Sequence, residues 1–114
     1  MREKHAMEGN LNGVNVLVGD QNNITTLDEW INQSGGTNFD IVIDDGGHQQ
    51  CQMWTSFQKL WPKLLPGGIY FIEDLQISRS PRYNKAESPL CKKGTNVVDQ
   101  LKQRIDVLVH GRGK

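Results

Sequence analysis

Cysteine is scarce in this chain: Cys51 and Cys91 are the only two among 114 residues. Two are too few for a disulfide framework, and no Cys-x-x-Cys spacing is present. Packed thiols in a reducing compartment are the expectation. Net charge is lacking too. Thirteen Lys plus Arg balance thirteen Asp plus Glu, so nothing steers the chain toward nucleic acid. No apolar run approaches a membrane span, and the polar stretch Met1 to Asn10 has no signal-like core. The glycine-rich dinucleotide fingerprint and the phosphate-loop lysine motif are both missing. These absences leave a cytoplasmic domain, or a soluble part of something larger, with no nucleic-acid or membrane partner. The length suits one small domain.

What is present is an alternation of strand and helix signals. Val14 to Val18 is valine-rich and stops at Gly19-Asp20, as a short strand does. Thr25 or Thr26 is available to cap a helix through Leu27, Trp30 and Ile31, with Asp28 and Glu29 in its first turn. Ser34-Gly35-Gly36 ends it. Phe39 to Ile43 is a nearly continuous apolar strand, as expected when both faces of a sheet are covered. Met53, Trp54, Phe57, Leu60 and Trp61 recur at helical spacing, which predicts a helix from about Gln49 to Leu60, with Pro62 at its end. Pro66-Gly67-Gly68 is a turn signal before a strand at Ile69 to Ile72. Residues 76–96 read as a polar loop or lid, and residues 97–110 as a terminal helix. Lys and Arg gather from Arg79 onward, as a solvated face or as an attraction for an anionic substrate. The order predicts an α/β fold with a parallel sheet of at least three strands and flanking helices.

The chemistry gathers at two acidic strand ends. Asp44-Asp45-Gly46-Gly47-His48 follows one apolar strand and Glu73-Asp74 follows the next. In open α/β sheets ligands sit at such ends. If the strands are neighbours, three carboxylates converge, and like charges that close need a cation or a proton. A hard divalent ion with open positions fits, and Mg²⁺ is the simplest choice. His48 is then a base rather than a ligand, able to take a proton from a hydroxyl. The plainer readings stand beside these: Asp44 as a residue binding its own loop or capping the next helix, His48 as a helix-start hydrogen-bonding residue, Glu73-Asp74 as a solvated turn. Cys51, on the helix after the motif, reads as packing.

Together, Phe39-Asp40-Ile41-Val42-Ile43-Asp44-Asp45-Gly46-Gly47-His48, Pro66-Gly67-Gly68 and Ile72-Glu73-Asp74-Leu75 resemble the macrocin/mycinamicin-type sugar O-methyltransferases. The resemblance runs from about Asn15 to Leu75. It implies a partial Rossmann-like class I methyltransferase fold that uses S-adenosylmethionine and Mg²⁺. It assigns the metal to Asp45, Glu73 and Asp74, and the general base to His48. Gly47 stands where the family often has Ser. Gly19-Asp20-Gln21 resembles the family segment near the adenosine, so Asp20 and Gln21 become cofactor-binding candidates, with Asp44 beside them. The implied reaction moves a methyl group from the sulfonium to a hydroxyl oxygen of a sugar or other small molecule.

The resemblance also implies two earlier strands carrying a glycine-rich loop and a ribose-binding acid, and neither appears before Val14. The chain therefore reads as a single partial domain, with a polar leader over residues 1–13, supplying the metal and acceptor half of a site. Full activity is not expected of it alone. Exposed or swapped strand edges would favour a homo-oligomer. The alternatives are a non-catalytic, oligomer-forming remnant of the fold, and a hydrolase- or hydroxylase-like relative using the same carboxylates. A phosphotransfer receiver is disfavoured for want of a lysine at a third strand end.

Overall fold

The computed structural model describes residues 9–11, 13–36, 38–77 and 80–110. Most of the polar leader, and Gly111-Arg112-Gly113, which reads in the sequence as the end of the terminal helix, lie outside them. The leader's last residues, however, form a strand. β1 (Gly9–Leu11) pairs antiparallel with β2 (Val14–Val16). Gly13, at φ 86°, makes the turn between them, a conformation open to glycine at little steric cost. The Asn12-Gly13 dipeptide, a signature of two-residue hairpins, is the signal for this pairing. The expected strand at Val14 to Val18 is thus shorter, and its partner precedes it in the chain.

β3 (Phe39–Asp44) and β4 (Leu64–Ile72) form a separate parallel pair, in register from Ile41↔Ile69 to Asp44↔Ile72. The expectation of at least three parallel strands is corrected to two among the described residues, because β2 is taken up by its hairpin. β4 also begins earlier than the sequence suggests. Pro66-Gly67-Gly68 does not precede the strand; it is the irregularity that shifts the register between Phe39↔Leu64 and Ile41↔Ile69. Gly67 takes φ 83°, and a Cβ on Gly68 would stand 2.8 Å from the Asp40 carbonyl oxygen. A bulge of this kind needs glycine at both places.

Among the described residues three α-helices accompany the strands. α1 (Ile24–Gln33) is capped by Asn23, whose Oδ1 accepts from the Thr26 N–H at 3.0 Å. The cap is therefore neither Thr25 nor Thr26, and Asp28 and Glu29 fall beyond the first turn. Asp28 instead pairs with Lys59, on the helix that follows β3, at 2.7 Å. α2 (Gln50–Leu60) is buried almost all round from Gln50 to Phe57. One side faces the sheet and α3 (Val97–His110); the other is covered by the segment before α3. Trp54, Phe57, Trp61 and Tyr70 form a chain of ring contacts at 5.1–5.6 Å, with Arg104 of α3 over Trp54 at 5.2 Å. Among the described residues no helix is long and apolar enough to cross a membrane.

Residues 84–95 behave as a strap along α2 rather than as a free loop. Gln49 Oε1 accepts from the Lys85 N–H, Thr55 Oγ1 meets Ser88 Oγ at 2.7 Å, and Gln58 Nε2 donates to the Leu90 carbonyl at 2.9 Å. Gln50, only 2% exposed, accepts from the Val97 N–H at 2.8 Å and so caps the start of α3. Cys51 and Cys91 are joined by a disulfide, their Cα atoms 5.5 Å apart. The expectation of two packed free thiols is corrected. The strap lays Cys91 on the buried face of α2, a proximity invisible in two cysteines forty positions apart.

The β3–β4 pair is clothed on one face. Val42, Asp44, Tyr70 and Ile72 turn toward α2 or the cleft described below, while Ile41, Ile43, Ile69 and Phe71 share the opposite face and are 50–62% exposed. The nearly continuous apolar run of β3 matches a strand built for two covered faces.

Candidate metal site and cofactor cleft

Parallel pairing brings the two acidic motifs together. The ladder runs one step past the strands, with the Glu73 N–H donating to the Asp44 carbonyl at 2.9 Å. Asp45 and the Glu73-Asp74 pair therefore leave the sheet at the same end. His48 returns over the same end, its Nε2 3.3 Å from Asp74 Oδ2. One ligand-type atom from each of Asp45, His48 and Asp74 lies within 4.8 Å of the others. Glu73 is exposed and stands outside that group.

Two members of the group are held in an unusual backbone state. His48 and Asp74 both take φ 64°, the left-handed region that costs a residue with a side chain about 1–2 kcal/mol. Among the described residues they are the only non-glycines there. Strain of this kind gathers at functional sites, where surrounding contacts hold it. Around His48 those contacts are Asp74 on one side and the edge of the Tyr83 ring, 6.5 Å between centroids, on the other. Gln49, the next residue, donates from Nε2 to the Arg82 carbonyl and so anchors the turn that carries Tyr83.

The group suits a hard cation. Two carboxylates face one place with an imidazole beside them, and Asp45 and Asp74 are open to solvent. Oxygen donors with room for retained waters are what Mg²⁺ requires.

Asp44 plays a different part. It is buried, its Oδ2 accepts from Gln21 Nε2 at 3.0 Å, and its Oδ1 accepts from the Gly46 N–H at 3.1 Å. Burial raises its pKa above the usual carboxylate range, against the pull of those two hydrogen bonds and of His48. Of the readings open in the sequence, binding its own loop is the one its geometry displays. Gln21 is likewise engaged with the protein, donating also to Ser56 Oγ and accepting from the Gly47 N–H. Asp20 is exposed, its Oδ1 accepting from the Asn22 N–H at 2.8 Å.

Asp20, Gln21, Trp30, Asp44, Gly46 and Tyr70 are among the residues lining a cleft of about 780 Å³. It adjoins the metal group through Asp45, which lines it as well. The Tyr70 hydroxyl is buried and has no hydrogen-bond partner. Burial, then the Asp44 charge, pushes its pKa upward.

Comparison with known proteins fits this geometry. No family model matches the chain. Mycinamicin VI 2''-O-methyltransferase of Micromonospora griseorubida is 38% identical over 97 residues, 85% of this chain and 24% of that protein. Demethylmacrocin O-methyltransferase of Streptomyces fradiae matches to the same extent, again at 38% identity. The chain is a homologue of the macrocin/mycinamicin-type sugar O-methyltransferases. L-olivosyl-oleandolide 3-O-methyltransferase of Streptomyces antibioticus is 41% identical over 68 residues, 60% of this chain and 18% of that protein. The MycE methyltransferase of the mycinamycin biosynthetic pathway, solved with Mg and SAH and also with mycinamycin VI, superposes with a TM-score of 0.68. That match is 36% identical and covers 82% of this chain and 24% of MycE. The architecture is the Rossmann-like class I methyltransferase fold over the part that the chain spans, about a quarter of the sugar O-methyltransferases it matches.

The sequence pointed to Asp45, His48 and Asp74 but not to the residues that hold them. Gln49, Gln52 and Tyr83 carried no motif. The one available signal was the run of polar Gln49, Gln50 and Gln52 on a helix otherwise read for its apolar face.

Proposed function

We propose that this segment supplies the metal and acceptor side of a site that methylates a hydroxyl oxygen on a sugar or similar small molecule. The observation that carries the reading is the meeting of Asp45, His48 and Asp74 at paired strand ends, in a homologue of the sugar O-methyltransferases. Asp45 and Asp74 would hold Mg²⁺, with Glu73 the further carboxylate beside them. Asp20, exposed on the cleft floor, would accept hydrogen bonds from the adenosine of S-adenosylmethionine, with Gln21 and Asp44 forming the wall next to it. When bound, the cation would acidify the acceptor hydroxyl and the sulfonium would supply an already activated methyl group.

The chain's own residues would then orient and deprotonate. If the Nε2 proton of His48 points at Asp74, Nδ1 is the nitrogen left to accept a proton. The Asp74 carboxylate would stabilise the resulting imidazolium. The edge-on Tyr83 ring also meets the imidazole, and the bond from Gln49 to the Arg82 carbonyl anchors the turn that carries it. Much of the rate would come from holding acceptor and base at fixed geometry.

Two features of the setting are proposed with it. Self-association through the open edges of β3 and β4 would be assisted by the bare face of Ile41, Ile43, Ile69 and Phe71. A cytoplasmic location is compatible with the disulfide because both sulfurs belong to buried residues, which slows thiol attack.

Calorimetry of S-adenosylmethionine binding, with and without Mg²⁺, tests the reading. Binding that Mg²⁺ strengthens is expected. Absence of cofactor heat under both conditions would overturn it for this chain. His48→Ala should keep whatever cofactor binding the parent has and abolish transfer to a mycinamicin VI acceptor; unchanged turnover would remove His48 as base.

A further inference from the structure

Gln21 lies in the loop after β2, far in sequence from the acidic motifs, yet it makes more contacts with the first of them than any cleft-lining ligand residue would need. Its Nε2 donates to Asp44 Oδ2 at 3.0 Å, to Ser56 Oγ at 3.0 Å and to the Gln52 carbonyl at 3.3 Å. Its Oε1 accepts from the Gly47 N–H at 2.9 Å, and its backbone carbonyl accepts from Ser56 Oγ at 2.8 Å. One amide thus grips the turn at both ends: at Asp44, where the strand stops, and at Gly47, just before His48.

We propose that Gln21 is a positioning residue that sets the turn carrying Asp45 and His48, and not a cofactor ligand; the claim rests on the metal-site reading above. Asp45 lies between the two grips, and His48 follows the second in its left-handed conformation. Without the amide, buried Asp44 keeps the Gly46 N–H alone among these partners, and the Gly47 N–H loses its acceptor. Asp45 and His48 are then free to leave Asp74, which sits on the other strand.

The chemistry selects glutamine. The position needs a donor for the Asp44 carboxylate and an acceptor for the Gly47 N–H on one group. A carboxamide offers both on separate atoms of one planar group at neutral charge, and asparagine is one methylene shorter. The pair Gly46-Gly47 follows from the same contact. A Cβ on Gly46 would overlap the Gln21 amide oxygen, and one on Gly47 would overlap that of Gln52. The glycines of this motif are there so that two side-chain amides can press on the turn.

Gln21→Met keeps the volume and removes the amide; Ser56→Ala removes a neighbouring bond and leaves the grip on Asp44 and Gly47. In Gln21→Met the contact between the His48 and Tyr83 rings, seen as a nuclear Overhauser effect, should vanish. Gly47 amide exchange should accelerate about tenfold or more and Mn²⁺ affinity should fall about tenfold, the scale of one lost hydrogen bond. Ser56→Ala should lower the melting temperature and leave all three readouts in place. An unchanged ring contact and Gly47 protection in Gln21→Met would overturn the proposal. So would equal changes in Ser56→Ala, because the effect would then be general destabilisation. If the parent keeps the ring contact but binds no Mn²⁺, the metal reading fails, and the two magnetic-resonance readouts still decide the role of Gln21. Should Gln21→Met not fold, Gln21→Glu keeps the acceptor for Gly47 and loses the donor for Asp44; native readouts in that variant would equally overturn the proposal.

Discussion

Reducing the Cys51–Cys91 bond should cost the chain a large part of its stability without moving the candidate site. The bond closes a loop with a sequence separation of 40. In the chain-entropy description a loop of that length removes about 4 kcal/mol of freedom from the unfolded state at 25 °C. Domains of this size have a total stability of only about 5–15 kcal/mol. In the folded state the strap has other anchors, among them Thr55 with Ser88, Gln58 with the Leu90 carbonyl, and Asn22 Nδ2 donating to the Glu87 carbonyl at 2.7 Å. These should keep the reduced strap on α2. The loss then arises from the unfolded chain. Urea titrations with and without a phosphine reductant, followed by tryptophan fluorescence, measure it. The midpoint should fall by the equivalent of about 3–4 kcal/mol, with a steeper slope as the reduced unfolded state exposes more surface. Neither cysteine should react with a thiol reagent before reduction and unfolding. A midpoint shift worth less than about 1 kcal/mol, or two thiols titrating in the native protein, would refute the reasoning.

Tyr70→Phe should be harmless or favourable near neutral pH. It deletes a buried hydroxyl without a partner, whose burial costs about 1–3 kcal/mol. It should also flatten the alkaline limb of the stability profile. Tyr70 is raised above its usual 10.0, so unfolded chains lose that proton first; stability is full below pH 10 and falls as pH rises above it. Chemical denaturation from pH 7 to 11 checks both, and an identical alkaline fall in the variant would contradict the second. Gly46→Ala should cost about 2–3 kcal/mol, because its Cβ displaces the Gln21 amide and strands Asp44. Gly13→Ala, where the added Cβ meets nothing within 4 Å, should cost about 1–2 kcal/mol through its positive φ alone. Equal losses of site contacts in both would count against the grip of Gln21 on the turn.

The acidic strand ends were legible because they obey two local rules at once. An apolar run of strand length followed directly by acids and glycine marks a strand terminus whatever the rest of the chain does. α2 and α3 were legible from their apolar spacing, and their observed bounds fall within a residue or two of the reading. What escaped was set by contacts distant in sequence or by backbone sign. β2 met the periodicity of a sheet strand, but its partner was settled by the glycine turn immediately before it. Asn23 took the cap because its side chain reached Thr26, an outcome that a choice among neighbouring polar residues cannot decide. Periodicity assigns only the apolar positions of α2 and is silent on Gln49, Gln50 and Gln52, each of which closes a hydrogen bond to a segment far along the chain or across the turn. The Glu73-Asp74 pair illustrates the limit most clearly. Asp74 stands at φ 64° and meets Asp45 and His48, and no residue pattern announces that backbone state in one of two adjacent acids.

Paramagnetic broadening by Mn²⁺ tests the metal site most directly. Substoichiometric Mn²⁺ added to isotope-labelled chain should erase the amide signals of Asp45, Gly46, His48 and Asp74 first, and excess Mg²⁺ should restore them. Asp45→Asn should weaken the effect by about tenfold or more, the loss expected when a charged ligand is neutralised. Broadening centred elsewhere, or none at concentrations that saturate ordinary Mg²⁺ enzymes, would contradict the account.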